Sequence, residues 1–251
     1  MSVRLLVTDI DGTLVLDDQR PALPRGLSAF LERFVAGGGR WVIATGRDLA
    51  DVESLLPVFG ASVRPEALVV NDGAIHGVEA WAAWNEQRRV RREELFARFA
   101  PSLVPFRDAC RRDGAQIWQP VDAPWGLDAP PALQSRFSAR FAEAFSHVPE
   151  LVLAGNGRWA APAPRGDDKG AAVRALAGSW GIAPSETVVA GDDLNDLPMM
   201  EPMVSTRWIA PANAVPRVLE RVAGRGFVAT RAGALGVWEG LRRAIAADST
   251  A

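Results

Sequence analysis

Two aspartates one residue apart, Asp9 and Asp11, follow directly on an apolar run and precede Gly12 and Thr13. Burying carboxylates costs free energy unless a cation or dense hydrogen bonding compensates, and two of them repel each other. Mg²⁺, which prefers oxygen ligands, is the simplest compensation. One carboxylate could then hold the ion and attack a phosphoryl group. The other, standing on the turn, could donate and accept a proton. An Asp-rich turn closing an edge strand is the plainer alternative, and this motif alone does not exclude it. Three further apolar runs end in polar residues: Thr45-Gly46-Arg47, Asn71-Asp72-Gly73, and Gly191-Asp192-Asp193-Leu194-Asn195-Asp196. Lys169 is the only lysine in the chain, a compact ammonium for which arginine's planar fork is no substitute.

These residues need elements to carry them. Residues 3–9 read as a strand, 21–24 as a break, 26–36 as an amphipathic helix ended by Gly37-Gly38-Gly39, and 40–44 as a second strand. A helix over 48–56, with Asp48 favouring its dipole, leads to a strand at 67–70. Strand and helix in alternation, with polar strand ends, predict a parallel sheet with crossovers. Ligands bind such sheets at the carboxyl ends of the strands. From residue 77 the pattern changes to a strand over 78–84, a helix over 88–99, a strand over 116–119 and a loop over 122–131. A helix over 131–145 and a hairpin of 150–154 with 158–161 complete this insert. Core-like patterning returns at Lys169, with helices over 170–180, 214–223 and 235–247 and strands over 186–190 and 204–209.

The four motifs, Asp9-Ile10-Asp11-Gly12-Thr13, Thr45-Gly46-Arg47, Lys169-Gly170 and the segment from Gly191 to Asp196, together resemble the haloacid dehalogenase-like superfamily of phosphatases. The long insert resembles the Cof-type or sucrose-phosphatase-like branch with a large α+β cap. The resemblance spans nearly the whole chain. It implies an α/β fold: a Rossmann-like three-layer core with a parallel sheet, in two parts at 1–76 and 162–251, with an inserted α+β cap at 77–161. It implies Asp9 as nucleophile and Mg²⁺ ligand, and Asp11 as general acid/base with its main-chain carbonyl on the metal. Thr45 would hydrogen-bond the phosphoryl group, Lys169 would neutralise it, and Asp192 would complete the metal site. Asn195 and Asp196 would support the loop and metal site, and Asp193 would stand behind the metal ligands or face solvent. Gly46, Arg47, Asn71 and Asn195 are assigned to substrate binding, with anchoring of the loop as the alternative for Arg47.

Elementary chemistry agrees. A phosphate monoester is doubly anionic, so a carboxylate nucleophile needs a cation beside it. Attack gives an aspartyl-phosphate, which splits one displacement into two. Asp11 can protonate the departing alkoxide and then take a proton from the attacking water. No P-loop or EF-hand pattern is present.

Composition narrows the rest. Apolar residues at 48% and charged residues at 23% suit a chain with a sizeable core. A net charge of -2 does not suit a nucleic-acid surface. A single cysteine excludes an internal disulfide framework and fits a reducing compartment. Two distant histidines, His76 and His147, do not make a zinc site. Without a leader-like or long apolar stretch, the reading is a cytoplasmic protein that does not bind membranes, monomeric or weakly dimeric.

The expected activity is therefore Mg²⁺-dependent hydrolysis of a small-molecule phosphate ester, with a sugar phosphate foremost. A phosphomutase of the same superfamily, or a non-catalytic phosphometabolite-binding protein, are the alternatives. Cap candidates for reading the leaving group are Arg107, Arg111, Arg112 and Asp113, and the indoles of Trp118, Trp125 and Trp159.

Overall fold

The computed structural model describes residues 3–16, 22–77 and 81–248. The chain forms two compact units, Met1–Ala80 with Asp168–Ala251, and Trp81–Asp167. The first unit opens with β1 (Leu5–Thr8), α1 (Arg25–Ala36), β2 (Arg40–Ala44), α2 (Leu49–Leu55), β3 (Ala67–Val70) and β4 (Ala74–Gly77). The second comprises α3 (Ala82–Arg112), β5 (Gln116–Trp118), β6 (Gly126–Asp128), α4 (Pro131–Ala144), β7 (Leu151–Gly155) and β8 (Trp159–Pro164). The first then resumes with α5 (Lys169–Ser179), β9 (Thr187–Ala190), β10 (Arg207–Ala210), α6 (Pro216–Val222), β11 (Phe227–Val228) and α7 (Gly233–Asp248).

In the first unit the sheet runs in the order β11-β10-β9-β1-β2-β3-β4, parallel except for β4 against β3. All four residues of β1 are buried, which is what a central strand covered on both faces requires. On one face Leu6, Ile43, Leu68, Val188 and Ile209 pack with Leu27 and Leu31 of α1 and with Val237 and Leu241 of α7. α5 packs beside β3 and buries Ala172, Val173 and Leu176. Strand order reverses at β1, with β2 and β3 to one side and β9 and β10 to the other. The carboxyl ends of β1, β2, β3 and β9 therefore lie along one edge, at a topological switch point. α1 ends where its glycines take over. Gly38 has φ +86, and the N–H groups of Gly37, Gly38 and Gly39 donate back to the carbonyls of Arg33, Val35 and Phe34. Asp48 caps α2, accepting from the Asp51 N–H at 2.8 Å.

The second unit is an antiparallel sheet of order β5-β6-β8-β7 with two helices. Its core gathers Leu103, Phe106 and Cys110 of α3 with Trp125, Leu127, Phe137 and Phe141. Here the sequence reading needs three corrections. Residues 82–84 belong to α3 rather than a strand, because the alanine- and charge-rich run from Ala82 favours helix; residues 78–80 of that expected strand lie outside the described residues, as does Pro21 of the expected break. α3 also continues past Phe99 through Pro101 and Pro105. A proline inside a helix costs about 3 kcal/mol. Burying side chains such as Leu103 and Phe106 returns about 1.5–3 kcal/mol each and offsets that. Finally, residues 126–128 form β6 inside the segment expected to be a loop. Leu127 is fully buried, pairing with Ile117 and Ala160 on either side.

The unit also runs past residue 161 to Asp167. β8 continues to Pro164, and Asp167 pairs with Arg88 (2.6 Å) and Arg92 of α3. Two short strands, β4 and β11, have no counterpart in the sequence reading. No helix among the described residues is long and apolar enough to cross a membrane.

Candidate active site

Asp9 continues the β1 ladder by one rung, its N–H donating to the Ala190 carbonyl at 3.0 Å, so its buried carboxylate stands at the strand end. Asp192 leaves the end of the neighbouring β9. Lys169, the first residue of α5, is fully buried between them. Its Nζ donates to Asp9 Oδ1 at 2.8 Å and to Asp196 Oδ1 at 2.7 Å, and lies 3.9 Å from Asp72 Oδ1. Asp168 caps α5 by accepting from the Ala171 N–H at 2.9 Å, which fixes the first turn and so aims Lys169.

The loop after β9 is organised by its own carboxylates. Asp196 Oδ2 accepts from the N–H groups of Asp192 (2.8 Å) and Asp193 (3.1 Å). Asp193 caps the 3-10 helix Leu194–Met200, accepting from the Leu194 N–H at 2.6 Å. Asp192 accepts from the buried Thr13 hydroxyl at 2.7 Å. Gly12 makes this approach possible. It has φ +77, and a Cβ there would lie 2.0 Å from Asp192 Oδ2.

The ends of β2 and β3 add the remaining groups. Thr45 is buried, and its hydroxyl oxygen accepts from the Arg47 N–H at 3.2 Å. The Arg47 guanidinium takes both oxygens of Asp11, from Nε at 2.7 Å and Nη2 at 2.5 Å. Asn71 and Asp72 both have positive φ, 47 and 56, a conformation costly for residues other than glycine and tolerated best by Asn and Asp. Asn71 donates its N–H to the Arg47 carbonyl, while Asp72 Oδ1 accepts from Asn195 Nδ2 at 3.0 Å. Gly46 lies against this pair, its would-be Cβ 3.5 Å from the Asp72 carboxylate.

The structure thus brings Asp9, Lys169, Asp192 and Asp196 together, and joins Thr45, Gly46, Arg47, Asn71 and Asn195 along the same strand edge. Asp72 and Thr13 are absent from the sequence-based set of site residues. An Asn-Asp-Gly run at a strand end was the available signal for Asp72, since that sequence favours a positive-φ turn. Thr13 stands inside the first motif, but nothing local marked its pairing with a partner 179 residues away.

Electrostatically the cluster carries surplus negative charge. Burial, reinforced by Asp196 and Asp192, raises the Asp9 carboxyl well above its ordinary value despite the opposing pull of Lys169. Asp192 is pushed up to about 7, first by burial and then by Asp196. Burial alone would lower Lys169, but the charges of Asp196 and Asp9 more than offset it and hold it firmly as an ammonium.

Comparison with known proteins places this geometry. The haloacid dehalogenase-like hydrolase family matches residues 6–87, and the sucrose-6F-phosphate phosphohydrolase family matches residues 163–243. The two matches bracket the second unit and contain every residue of the cluster. In both stretches the chain is similar to haloacid dehalogenase-like phosphatases. It is 27% identical over 226 residues to the 5-amino-6-(5-phospho-D-ribitylamino)uracil phosphatase YbjI of Escherichia coli, covering 80% of this chain and 82% of that protein. A Synechocystis sucrose-phosphatase, solved with sucrose and phosphate, shares the fold with a TM-score of 0.70 at 20% identity, covering 97% of this chain and 98% of that one. A Bacillus subtilis haloacid dehalogenase-like hydrolase does so at 0.64 and 15%, covering 96% and 99%.

Haloacid dehalogenase-like phosphatases generally use Mg²⁺, and the residues of this cluster fit it. Carboxylate oxygens of Asp9, Asp192 and Asp196 lie within 4.8 Å of one another in a buried site whose negative charge one lysine does not balance. Asp196 is already engaged by Lys169 and two backbone N–H groups, which leaves Asp9 and Asp192 as the natural ligands.

In the second unit, Trp125 is buried against Phe106 and drops out as a recognition surface. Trp118 and Trp159 are instead about two-fifths exposed, 42% and 41%, and sit edge to face at 6.0 Å. Arg107 pairs with Asp108, and Asp113 with Arg140. Arg111 and Arg112 stand in the last turn of α3, where they complement the helix dipole.

Proposed function

We propose that this phosphatase hydrolyses a small phosphorylated metabolite, a sugar phosphate foremost, by way of a phosphoryl group carried on Asp9. The observation that carries the reading is the buried cluster of Asp9, Asp192 and Asp196 around Lys169 at the switch point of a parallel sheet. YbjI acts on a phosphoribityl ester and the Synechocystis enzyme holds sucrose and phosphate, which supports a polyol or sugar as the leaving group.

Asp9 supplies the nucleophile. One carboxylate oxygen attacks phosphorus as the ester P–O bond breaks, and Asp11 gives its proton to the leaving oxygen. Water then attacks the aspartyl-phosphate, passing a proton to Asp11 as the Asp9–phosphorus linkage opens. Thr45 offers a hydroxyl hydrogen, and Lys169 a fixed positive charge, to the phosphoryl oxygens. Asn71, Gly46 and Asn195 flank the group at the ends of β2, β3 and β9. Asp193 and Asp196 shape the loop that presents Asp192. A bound Mg²⁺, held by Asp9, Asp192 and the main-chain carbonyl of Asp11, would neutralise the phosphate and orient it for in-line attack.

The test is a panel of phosphate esters assayed with Mg²⁺ and with chelator, scoring both free phosphate and isomerised product. Turnover should vanish with chelator and return with Mg²⁺, and Asp9→Asn should give no acid-stable phosphoenzyme. Full turnover in metal-free buffer, or a labelled phosphoenzyme in Asp9→Asn, would sink the proposal. Isomerised product in place of free phosphate would make it a mutase.

A further inference from the structure

We infer that Arg47 is a positioning residue for Asp11, fixing the plane of its carboxylate, and does not itself bind the phosphoryl group. Nε donates to Oδ2 at 2.7 Å and Nη2 to Oδ1 at 2.5 Å, so one planar fork grips both oxygens. That grip takes up one edge of the guanidinium, the one formed by Nε and Nη2.

Both ends of this strut are anchored. The Arg47 N–H donates to the Thr45 hydroxyl at 3.2 Å, and its carbonyl accepts from the Asn71 N–H at 2.9 Å. On the other side the Gly12 N–H donates to the Val15 carbonyl at 2.6 Å, and Asn213 Nδ2 to the Gly12 carbonyl at 2.8 Å. The pair therefore ties the loop after β1 to the loop after β2.

Stability does not account for it. The two side chains are 34% and 42% exposed, and ion pairs that open to water contribute little to folding. What a two-point grip does supply is orientation, because it removes rotation about the carboxylate's own bond. A group that must meet a proton at one site loses rate steeply when misaimed. The inference rests on the reading of Asp11 as the proton-transfer group.

A double-mutant cycle separates the two ideas. Asp11→Asn, Arg47→Met, Arg47→Lys and the Asp11→Asn/Arg47→Met double variant are assayed with Mg²⁺ on an alkyl phosphate, with inorganic phosphate as a competitive inhibitor. Circular dichroism checks that each variant folds. Arg47→Met should lower kcat about 10–100-fold, the scale set by misplacing a catalytic group. Its inhibition constant for inorganic phosphate should stay within about twofold, since ground-state phosphate binding is untouched. In the Asp11→Asn background Arg47→Met should add nothing, because a residue acting only through Asp11 has nothing left to act on. Arg47→Lys should recover only part of the rate, keeping the charge but not the fork. Multiplying losses in the double variant, or a large drop in phosphate affinity from Arg47→Met, would overturn the inference and return Arg47 to the phosphoryl group. If Asp11→Asn turns over at the unmodified rate, the reading of Asp11 fails and the role of Arg47 falls with it.

Discussion

At the scale of single residues, Lys169 is the pivot. Its ammonium is fully buried and joins the carboxylate of β1 to that of the loop after β9. On the proposed mechanism, a charge so placed would serve the phosphoryl end of any ester and be blind to the leaving group. Lys169→Ala should therefore lower kcat/KM by a similar factor for an aryl phosphate and for the preferred metabolite. Lys169→Arg should rescue little, because the longer fork has no room in a site with no exposure. Removing the lysine also strips Asp9 and Asp196 of their buried cation, a change that costs about 3–5 kcal/mol when one partner of a buried pair is deleted. Denaturant unfolding beside the kinetics distinguishes the two effects. Damage to the metabolite reaction alone would show that the lysine reads the leaving group instead.

At the scale of elements, the site depends on how closely α5 meets the 3-10 helix Leu194–Met200. A Cβ on Gly170 would lie 2.3 Å from the Pro198 carbonyl, whereas one on Gly178 of the same helix would meet open space. Gly170→Ala should thus cost about 1–3 kcal/mol, the usual penalty of overpacking, and reduce turnover by displacing Lys169. Gly178→Ala should leave turnover intact and stabilise by up to about 1 kcal/mol, as alanine replaces glycine in a helix. Equal stability changes from both, measured by urea titration, would contradict this packing account. In α3 the only cysteine, Cys110, has its thiol pushed up to about 11 from 9.0, chiefly by burial. A raised thiol pKa means less thiolate at a given pH, here roughly a hundredfold less at pH 8. Iodoacetamide should modify the native protein far more slowly than the unfolded chain at that pH, as followed by intact mass. Rapid native labelling would show that the helix opens there.

For the molecule as a whole, the surplus of buried carboxylate over lysine predicts that the fold of the first unit is coupled to the cation. Mg²⁺ at a hundred times its dissociation constant should stabilise that unit by about 2.7 kcal/mol. For a chain of this size that is a rise of roughly 5–10 °C in its melting temperature. Calorimetry with and without chelator reads this directly and needs no substrate. The shift should disappear in Asp192→Asn, which would remove both a proposed ligand and a source of repulsion. An unchanged melting temperature in the unmodified protein, across a range of Mg²⁺ concentrations, would count against the acidic cluster as a cation site.

The sequence alone determined the α/β core, because its apolar runs are short, fully buried and end in polar residues, and that pattern survives translation into a parallel sheet. It also singled out Asp9 and Asp192, with Asp196 as support, since each follows such a run by a few residues and strand ends cannot move far; that Asp196 rather than the Asp11 carboxylate groups with the other two was decided by the tertiary structure. Asp72 was legible only as part of an Asn-Asp-Gly turn, and Thr13 only as the end of the first motif, because their roles come from side chains meeting across 123 and 179 residues. The Arg47–Asp11 fork is likewise a product of two loops being brought side by side. In the second unit local propensity was weakest. The length of α3 and the strand β6 were decided by Phe106, Leu127, Phe137 and Phe141 finding one another in a common core. Which of three exposed-looking tryptophans is buried was decided there too, because periodicity gives a face to a helix or strand but only packing says what covers it.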